Sequence, residues 1–173
     1  VHVRDQITYP TAEEELAIVK RTTGGPPEAP TAVMGAQDIE RVQQLVRAAP
    51  VADHVLRYAL RLVRATRIKE PMDGGLTRPK IVSQYVGWGA GPRASEYLVL
   101  AAKAHAILTG SMHVTPDHIR AIAKPVLRHR VLLNFNAEAD QVTADDVIDG
   151  MLKDLPVEGS SAGEKRQMDA VLR

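Results

Sequence analysis

Along most of this chain apolar residues return at intervals of three and four, the spacing of one face of a helix. Between Ala36 and Ala48 the repeat is Ile39, Val42 and Val46. Pro50 ends that run, Asp53 is placed to cap a new helix, and Val55, Ala59, Leu62, Val63 and Thr66 form its apolar face. A third helix is predicted from Pro92 to about Leu108, with Tyr97, Leu98, Ala101 and Leu108 on the buried side. Thr115-Pro116-Asp117 reads as a helix start, a capping hydroxyl followed by a proline and an acid. Ile119, Ile122, Ala123, Val126 and Leu127 continue that helix, with Pro125 expected to kink it. Thr143 with Asp146 opens the last helix, buried through Val147, Ile148, Met151, Leu152 and Leu155. Near the other end, Thr11 and Glu14 make a capping box for a helix reaching about Lys20.

The breaks between these runs are equally legible. Residues 1–9 alternate weakly, as a short strand would, and stop at Tyr9-Pro10. The stretch TTGGPPEAP at 22–30 reads as a mobile loop, and the segment 68–86, with Pro71, Gly74, Gly75 and Pro79, as mostly loop. After Pro156 the run EGSSAGEKRQ has the composition of a linker or frayed tail. No internal repeat is visible. The expected fold is all-α, a compact bundle of about five or six helices with a short N-terminal strand.

Composition supports that class. Of the 173 residues 45% are apolar but only 3% aromatic, so the core has to be built from Leu, Ile, Val and Ala. Such a core favours packed helices over a sandwich of sheets. The absence of cysteine excludes disulfides and thiolate metal sites. No apolar run reaches the roughly 20 residues that span a bilayer. A soluble, cytoplasmic protein without membrane insertion is expected. The chain opens on Val1 with no secretion signal and reads as a piece of something longer. Charge is nearly balanced at +1 but unevenly spread. Residues 41–69 hold seven Lys/Arg against Asp53, and residues 138–158 hold seven acids against Lys153. The basic helix 53–67 and the acidic stretch 138–158 are expected on different faces, one of them meeting a neighbouring subunit. Arg57, Arg61 and Arg64 stand at helical spacing as one basic stripe. A solvated helix face and a docking surface for an acidic neighbour both explain it. Nucleic acid is the weaker partner, because interleaved aromatics are missing.

The chemistry concentrates in GWGAGPRASEYLVL, residues 87–100. A cation, Arg93, occupies the second position of a helix, where the helix dipole disfavours positive charge by about 0.3–1 kcal/mol. With Gly91 as N-cap and Pro92 at the first position, outward amides and a guanidinium would face the same anion. A solvated arginine on an exposed turn explains the residue as well. The phosphate-cradling pattern GxxxxGK[ST] is absent, and GWGAG lacks both its lysine and its hydroxyl. His113 and His118 lie five apart with no acidic partner pattern, so no metal is expected.

Taken together, ITYPTAEEE (7–15), LVRATR (62–67), GAGPRAS (89–95) and HVTPDHIRAIAKPVLRHR (113–130) resemble the C-terminal lid region of MoxR-type AAA+ ATPases, in the right order over roughly residues 7–155. The resemblance implies that residues 1–9 end an upstream ATPase core, residues 10–155 form a helical lid, and residues 156–173 are a linker or tail. It implies that Arg93 is the sensor-2 arginine, the catalytic contribution of this chain, reaching the γ-phosphate of ATP together with Gly91 and Pro92. Tyr9 and Pro10 would mark the adenine-side hinge. ATP and its Mg2+ would be held mainly by the missing core, so this segment would neither bind nucleotide tightly nor hydrolyse it alone. A homo-oligomeric ring and a protein client, remodelled or matured in a chaperone-like way, are the implied partners. The alternative is a helical interaction module, an adaptor or nucleic-acid binder using residues 41–69, with no nucleotide chemistry. The pair His129-Arg130 also fits the family text, with packing as its expected role.

Overall fold

The computed structural model describes residues 3–25, 29–72 and 76–157. Among the described residues the chain forms α1 (Ala12–Thr23), α2 (Ala36–Ala48), α3 (Asp53–Ala65), α4 (Lys80–Tyr85), β1 (Val86–Trp88), α5 (Pro92–Leu108), α6 (Pro116–Leu127), β2 (Leu132–Leu133), α7 (Phe135–Ala139) and α8 (Ala144–Asp154). The fold is all-α with one small two-stranded sheet, as the hydrophobic spacing predicts. Among the described residues 3–11 no strand forms where an N-terminal one is expected, and the two strands lie at 86–88 and 132–133. The expected tail lies, beyond Val157, outside the described residues, as do residues 26–28 of the proline-rich loop.

The chain divides into two units, Asp5–Gln44 in one, and residues up to Arg4 with those from Leu45 onward in the other. In the first unit, α1 begins at the predicted capping box. The Thr11 N–H donates to Glu14 Oε2 at 2.8 Å, and the Glu14 N–H donates to Thr11 Oγ1 at 3.4 Å. Neither α1 nor α2 buries a residue, and Leu16, Val19, Ile39 and Val42 are all exposed.

The second unit holds the core. Its most extensive packing joins α5 to α6, where Leu98, Ala102 and Ala106 meet a face carrying Ile119, Ala123, Val126 and Leu127. Alanines on α5 let the two backbones approach closely, and each fully buried Leu or Ile contributes about 1.5–3 kcal/mol. Helix α3 adds Val55, Tyr58, Ala59 and Leu62, and α8 adds Val147, Ile148 and Met151. Arg120 ties three helices together, donating to the Tyr58 hydroxyl at 2.9 Å and to the Leu152 carbonyl at 2.8 Å. Leu108, expected inside, is 85% exposed. On the helical wheel it falls within about 20° of the buried Ala101, so its place as the last residue of α5, not its side of the helix, leaves it outside.

Helix α5 ends in a Schellman turn. Gly110 sits at φ 75°, Ser111 N–H donates to Ala106 O at 2.8 Å, and Gly110 N–H donates to Ile107 O at 3.0 Å. Helix α6 runs through Pro125 to Leu127, so the proline falls in the final turn, where its carbonyl accepts from Arg4 N–H at 2.9 Å.

One reading of the sequence is corrected at α3. Asp53 does not cap α3: Ala52 is the N-cap without a side-chain bond, and Asp53 is the first helical residue, where its charge still favours the dipole. Among its described residues the segment 68–86 is mostly loop, except at its end. Helix α4 and strand β1 form there because Val82 and Val86 have a core to enter. Gly150 of α8 allows that approach, since a Cβ there would stand 2.8 Å from Ile81 Cγ2.

Candidate functional site

The start of α5 is the element that bears Arg93. Gly91 is the N-cap in an extended conformation, Pro92 opens the helix, and no side chain caps the first-turn amides. Arg93 is exposed and makes no side-chain hydrogen bond or ion pair among the described residues. Gly91, Pro92 and Arg93 are thus brought together as consecutive residues of one helix start. Tyr9 and Pro10 belong to the Asp5–Gln44 unit, where Tyr9 is 99% exposed and Pro10 precedes the Thr11 cap.

What leads into that helix start is held from both sides of Ala90. The buried Ala90 N–H donates to Thr66 Oγ1 at 2.9 Å, and Arg67 Nε donates to Ala90 O at 2.9 Å. Thr66 in turn donates its hydroxyl proton to Val63 O at 2.6 Å, so its oxygen is oriented to accept. Gly89 passes so close to the end of α3 that an added Cβ would meet Thr66 O at 2.3 Å and Arg67 N at 2.7 Å. Only glycine fits there. On the other flank β1 pairs antiparallel with β2, Val86 opposite Leu133 and Trp88 opposite Leu132. Asn134 holds the ribbon to α4 by donating its side-chain N–H to Gln84 O at 2.8 Å.

Between the end of α3 and the segment Gly87–Pro92 lies an open cavity of about 350 Å³, lined among others by Arg67, Lys69, Glu70, Trp88, Gly91 and Pro92. Trp88 is 63% exposed, so it is not a buried packing anchor. Lys69 Nζ lies 5.6 Å from the centre of its ring, within cation–π range. Arg67 is paired with Glu70 at 3.2 Å, and Arg64 stands 3.8 Å from the same carboxylate. Two cations, Arg67 and Lys69, thus line a groove that offers one acid, Glu70, and Arg93 follows the lining residue Pro92 in the chain. Such a field favours an anion. Among the described residues there is no group of three or more side chains fit to hold a metal ion.

The basic stripe is a correction. Arg57 is exposed, but Arg61 is 8% exposed and donates to Pro156 O at 3.1 Å, while Arg64 is half-buried. The long apolar stem of Arg61 packs inside while its head finds a carbonyl. Helices α3 and α8 are in contact, and Arg61 of the basic helix meets a backbone carbonyl of the acidic stretch. Several acids of 138–158 are also answered internally. Arg128 grips Asp145 with Nε–Oδ1 3.1 Å and Nη2–Oδ2 3.0 Å, and Lys124 reaches Asp149 at 2.7 Å. The hydrogen bond that Lys124 donates to the Asp149 carboxylate raises the lysine pKa above its ordinary value. Arg130 lies 5.1 Å from the Tyr97 ring centre and donates to Val126 O, which gives it a packing role.

Sequence reasoning placed Thr66 on an apolar face, gave Arg67 no task beyond its charge, and missed Arg78 altogether. The task of Thr66 and Arg67 is to hold a segment more than twenty residues away, and no local spacing announces such a partnership.

Comparison with known proteins gives this geometry its class. Residues 78–151 match the family model described as the AAA lid domain, so the chain carries an AAA+ lid. It is 33% identical over 147 residues to Chaperone MoxR1 of Mycobacterium tuberculosis, a stretch that is 85% of this chain and 37% of that protein. It is 28% identical over 141 residues, 81% of this chain and 40% of the relative, to the uncharacterized protein YeaC of Bacillus subtilis. Over 79 residues, 45% of this chain and 23% of the relative, it is 35% identical to Protein MoxR of Paracoccus denitrificans. The crystal structure of a candidate ATPase from Cytophaga hutchinsonii superposes with a TM-score of 0.77 at 25% identity, covering 90% of this chain and 46% of that one. The chain belongs to the MoxR family of AAA+ ATPases, as its lid region. It spans about two fifths of the length of the two most fully matched relatives. Among the described residues no helix is long and apolar enough to cross a membrane.

Proposed function

We propose that this lid closes over ATP held by an upstream α/β core, and that Arg93 senses the γ-phosphate. The observation that carries this reading is a cation with no side-chain partner among the described residues, on a helix start whose approach is fixed at both backbone groups of Ala90. Phosphoryl transfer depends chiefly on placing positive groups where charge sits on the phosphate oxygens. An arginine on a separate lid adds a second effect: closure becomes dependent on the third phosphate. Swinging a lid from mostly open to mostly closed takes up to about 5.5 kcal/mol of differential binding. One charge-assisted contact supplies about 1.5–3 kcal/mol net, so Arg93 biases closure without completing it. The remainder falls to packing of the base, to which the exposed Trp88 and the groove beside it can contribute.

In the same reading residues 1–9 leave the core, residues 10–155 form the lid, and Tyr9 and Pro10 stand at the hinge. Mg2+ belongs to the core. The whole protein is a cytoplasmic ring that remodels or matures protein clients with the energy of ATP, a role suggested by the relative named a chaperone. A nucleic-acid or adaptor role for residues 41–69 has less support, because Arg61, Arg64 and Arg67 are engaged within the fold. The test is Arg93→Ala in the full-length protein. Assembly stays intact by size-exclusion chromatography, and ATP turnover falls at least tenfold, a barrier increase of about 1.4 kcal/mol. Wild-type turnover in that variant removes Arg93 from the mechanism.

A further inference from the structure

Arg78 stands in the segment between α3 and α4 and is half-buried. Its guanidinium is spent almost entirely on main-chain carbonyls of the turn that follows α3. Nε donates to Ala65 O at 3.0 Å, Nη1 to Ile68 O at 3.2 Å, and Nη2 to Arg67 O at 2.8 Å and also to Glu70 O. Four of the five N–H donors of the side chain are thereby used, and the carbonyls lie at or past the C-terminus of α3, Arg67 O accepting also from the Glu70 N–H at 3.1 Å. Only a planar fork can reach four carbonyls of one turn at once. A lysine ammonium carries three donors on a single atom and cannot span them.

The turn gathered by Arg78 is the one that grips the approach to α5. Thr66 and Arg67 hold the N–H and the carbonyl of Ala90, and Gly89 runs against the Thr66 and Arg67 backbone. One residue after Ala90 is the N-cap, and two further on is Arg93. The path from the Arg78 guanidinium to the base of Arg93 is therefore continuous: side chain to carbonyls, carbonyls to turn, turn to Ala90, Ala90 to helix start. We propose that Arg78 is a positioning residue that sets the direction in which α5 presents Arg93. The functional half of this proposal rests on the sensor reading of Arg93; the positional half does not.

Two measurements separate the halves. The first is amide hydrogen exchange of the chain carrying Arg78→Lys or Arg78→Ala, with the core amides of Leu98 and Ile148 as internal references. Protection of the Ala90 amide falls at least tenfold relative to those references in both variants. Thr66→Val, which removes the hydroxyl further along the same path, reproduces the effect should Arg78→Ala fold poorly. Unchanged Ala90 protection in Arg78→Lys overturns the proposal. The second is the ratio of dissociation constants for ADP and a non-hydrolysable ATP analogue in the full-length protein. Arg78→Lys shrinks the preference for the triphosphate, as Arg93→Ala does, and adds nothing in the Arg93→Ala background. A general loss of stability would weaken both nucleotides alike. A preference that collapses in Arg93→Ala but survives in Arg78→Lys sinks the proposal, whereas survival in Arg93→Ala itself sinks the sensor reading and leaves the exchange result to decide on Arg78.

Discussion

Replacing Gly89 by alanine probes the interlock beneath Arg93 with a single methyl group. The added Cβ would stand 2.3 Å from Thr66 O, 2.5 Å from Thr66 C and 2.7 Å from Arg67 N. All three are backbone atoms, so no side chain can swing aside to make room. Either the end of α3 or the segment 87–91 must move, and both moves stretch the buried bond from Ala90 N–H to Thr66 Oγ1 and the bond from Arg67 Nε to Ala90 O. Leaving a buried donor unsatisfied costs about 1–3 kcal/mol. Forcing a methyl into packed atoms costs about 1–3 kcal/mol more. Partial relaxation shares the two costs, and Gly89→Ala is expected to destabilise the chain by about 2–4 kcal/mol. Urea unfolding followed by circular dichroism measures this, with an unchanged slope against denaturant showing that the two end states are comparable. Gly91→Ser is the matched control. A Cβ at Gly91 meets nothing within 4 Å, and serine at an N-cap can bond a first-turn amide, so stability stays within about 0.5 kcal/mol or rises slightly. Unfolding of Gly89→Ala at the wild-type midpoint would refute the close approach and with it the argument that Arg93 has a rigid base.

Two further measurements test the bundle itself. His118 accepts a hydrogen bond from the Thr115 N–H at Nδ1, 3.0 Å, and faces His105 across a ring-centre distance of 5.5 Å, with His113 and Asp117 also nearby. Desolvation, then the neighbouring His105, lower its pKa below the ordinary 6.5. The folded state therefore binds fewer protons than the unfolded one: the stabilisation is complete above about pH 6.5 and is lost as pH falls through the folded value. His118→Gln keeps a capping acceptor at that position without titrating. Melting temperatures of wild type and variant should diverge below pH 6.5, and parallel profiles would reject the capping role. For Arg128 and Asp145, whose side chains are 19% and 31% exposed, a double-mutant cycle to alanine should give a coupling of about 1 kcal/mol that shrinks at high salt. A coupling of zero at low salt would mean that the two bonds are not held in solution.

The helix pattern was legible because it is local. Burial of one face at a spacing of 3.6 residues, a hydroxyl at Thr11, Thr115 or Thr143, and a proline at the first position of α5 act within one or two turns. The α6 start and the position of Arg93 at the second residue of α5 follow from such short-range rules. The family text around GAGPRAS added a candidate role for Arg93 that spacing alone left open between solvent and anion. Tertiary structure decided the matters that depend on residues far apart in the chain. Arg61 reads as part of a solvated stripe until α8 and Pro156 arrive beside it, and the segment 68–86 reads as loop until a core exists for Val82 and Val86 to fill. Arg78 and Gly89 carry no periodic signal, and the apolar face that includes Thr66 does not announce its bond to Ala90, because these partners lie across the fold. A sequence records which groups can bond and at what local spacing; which carbonyl a guanidinium meets is settled only when packing brings distant segments within 3 Å of each other.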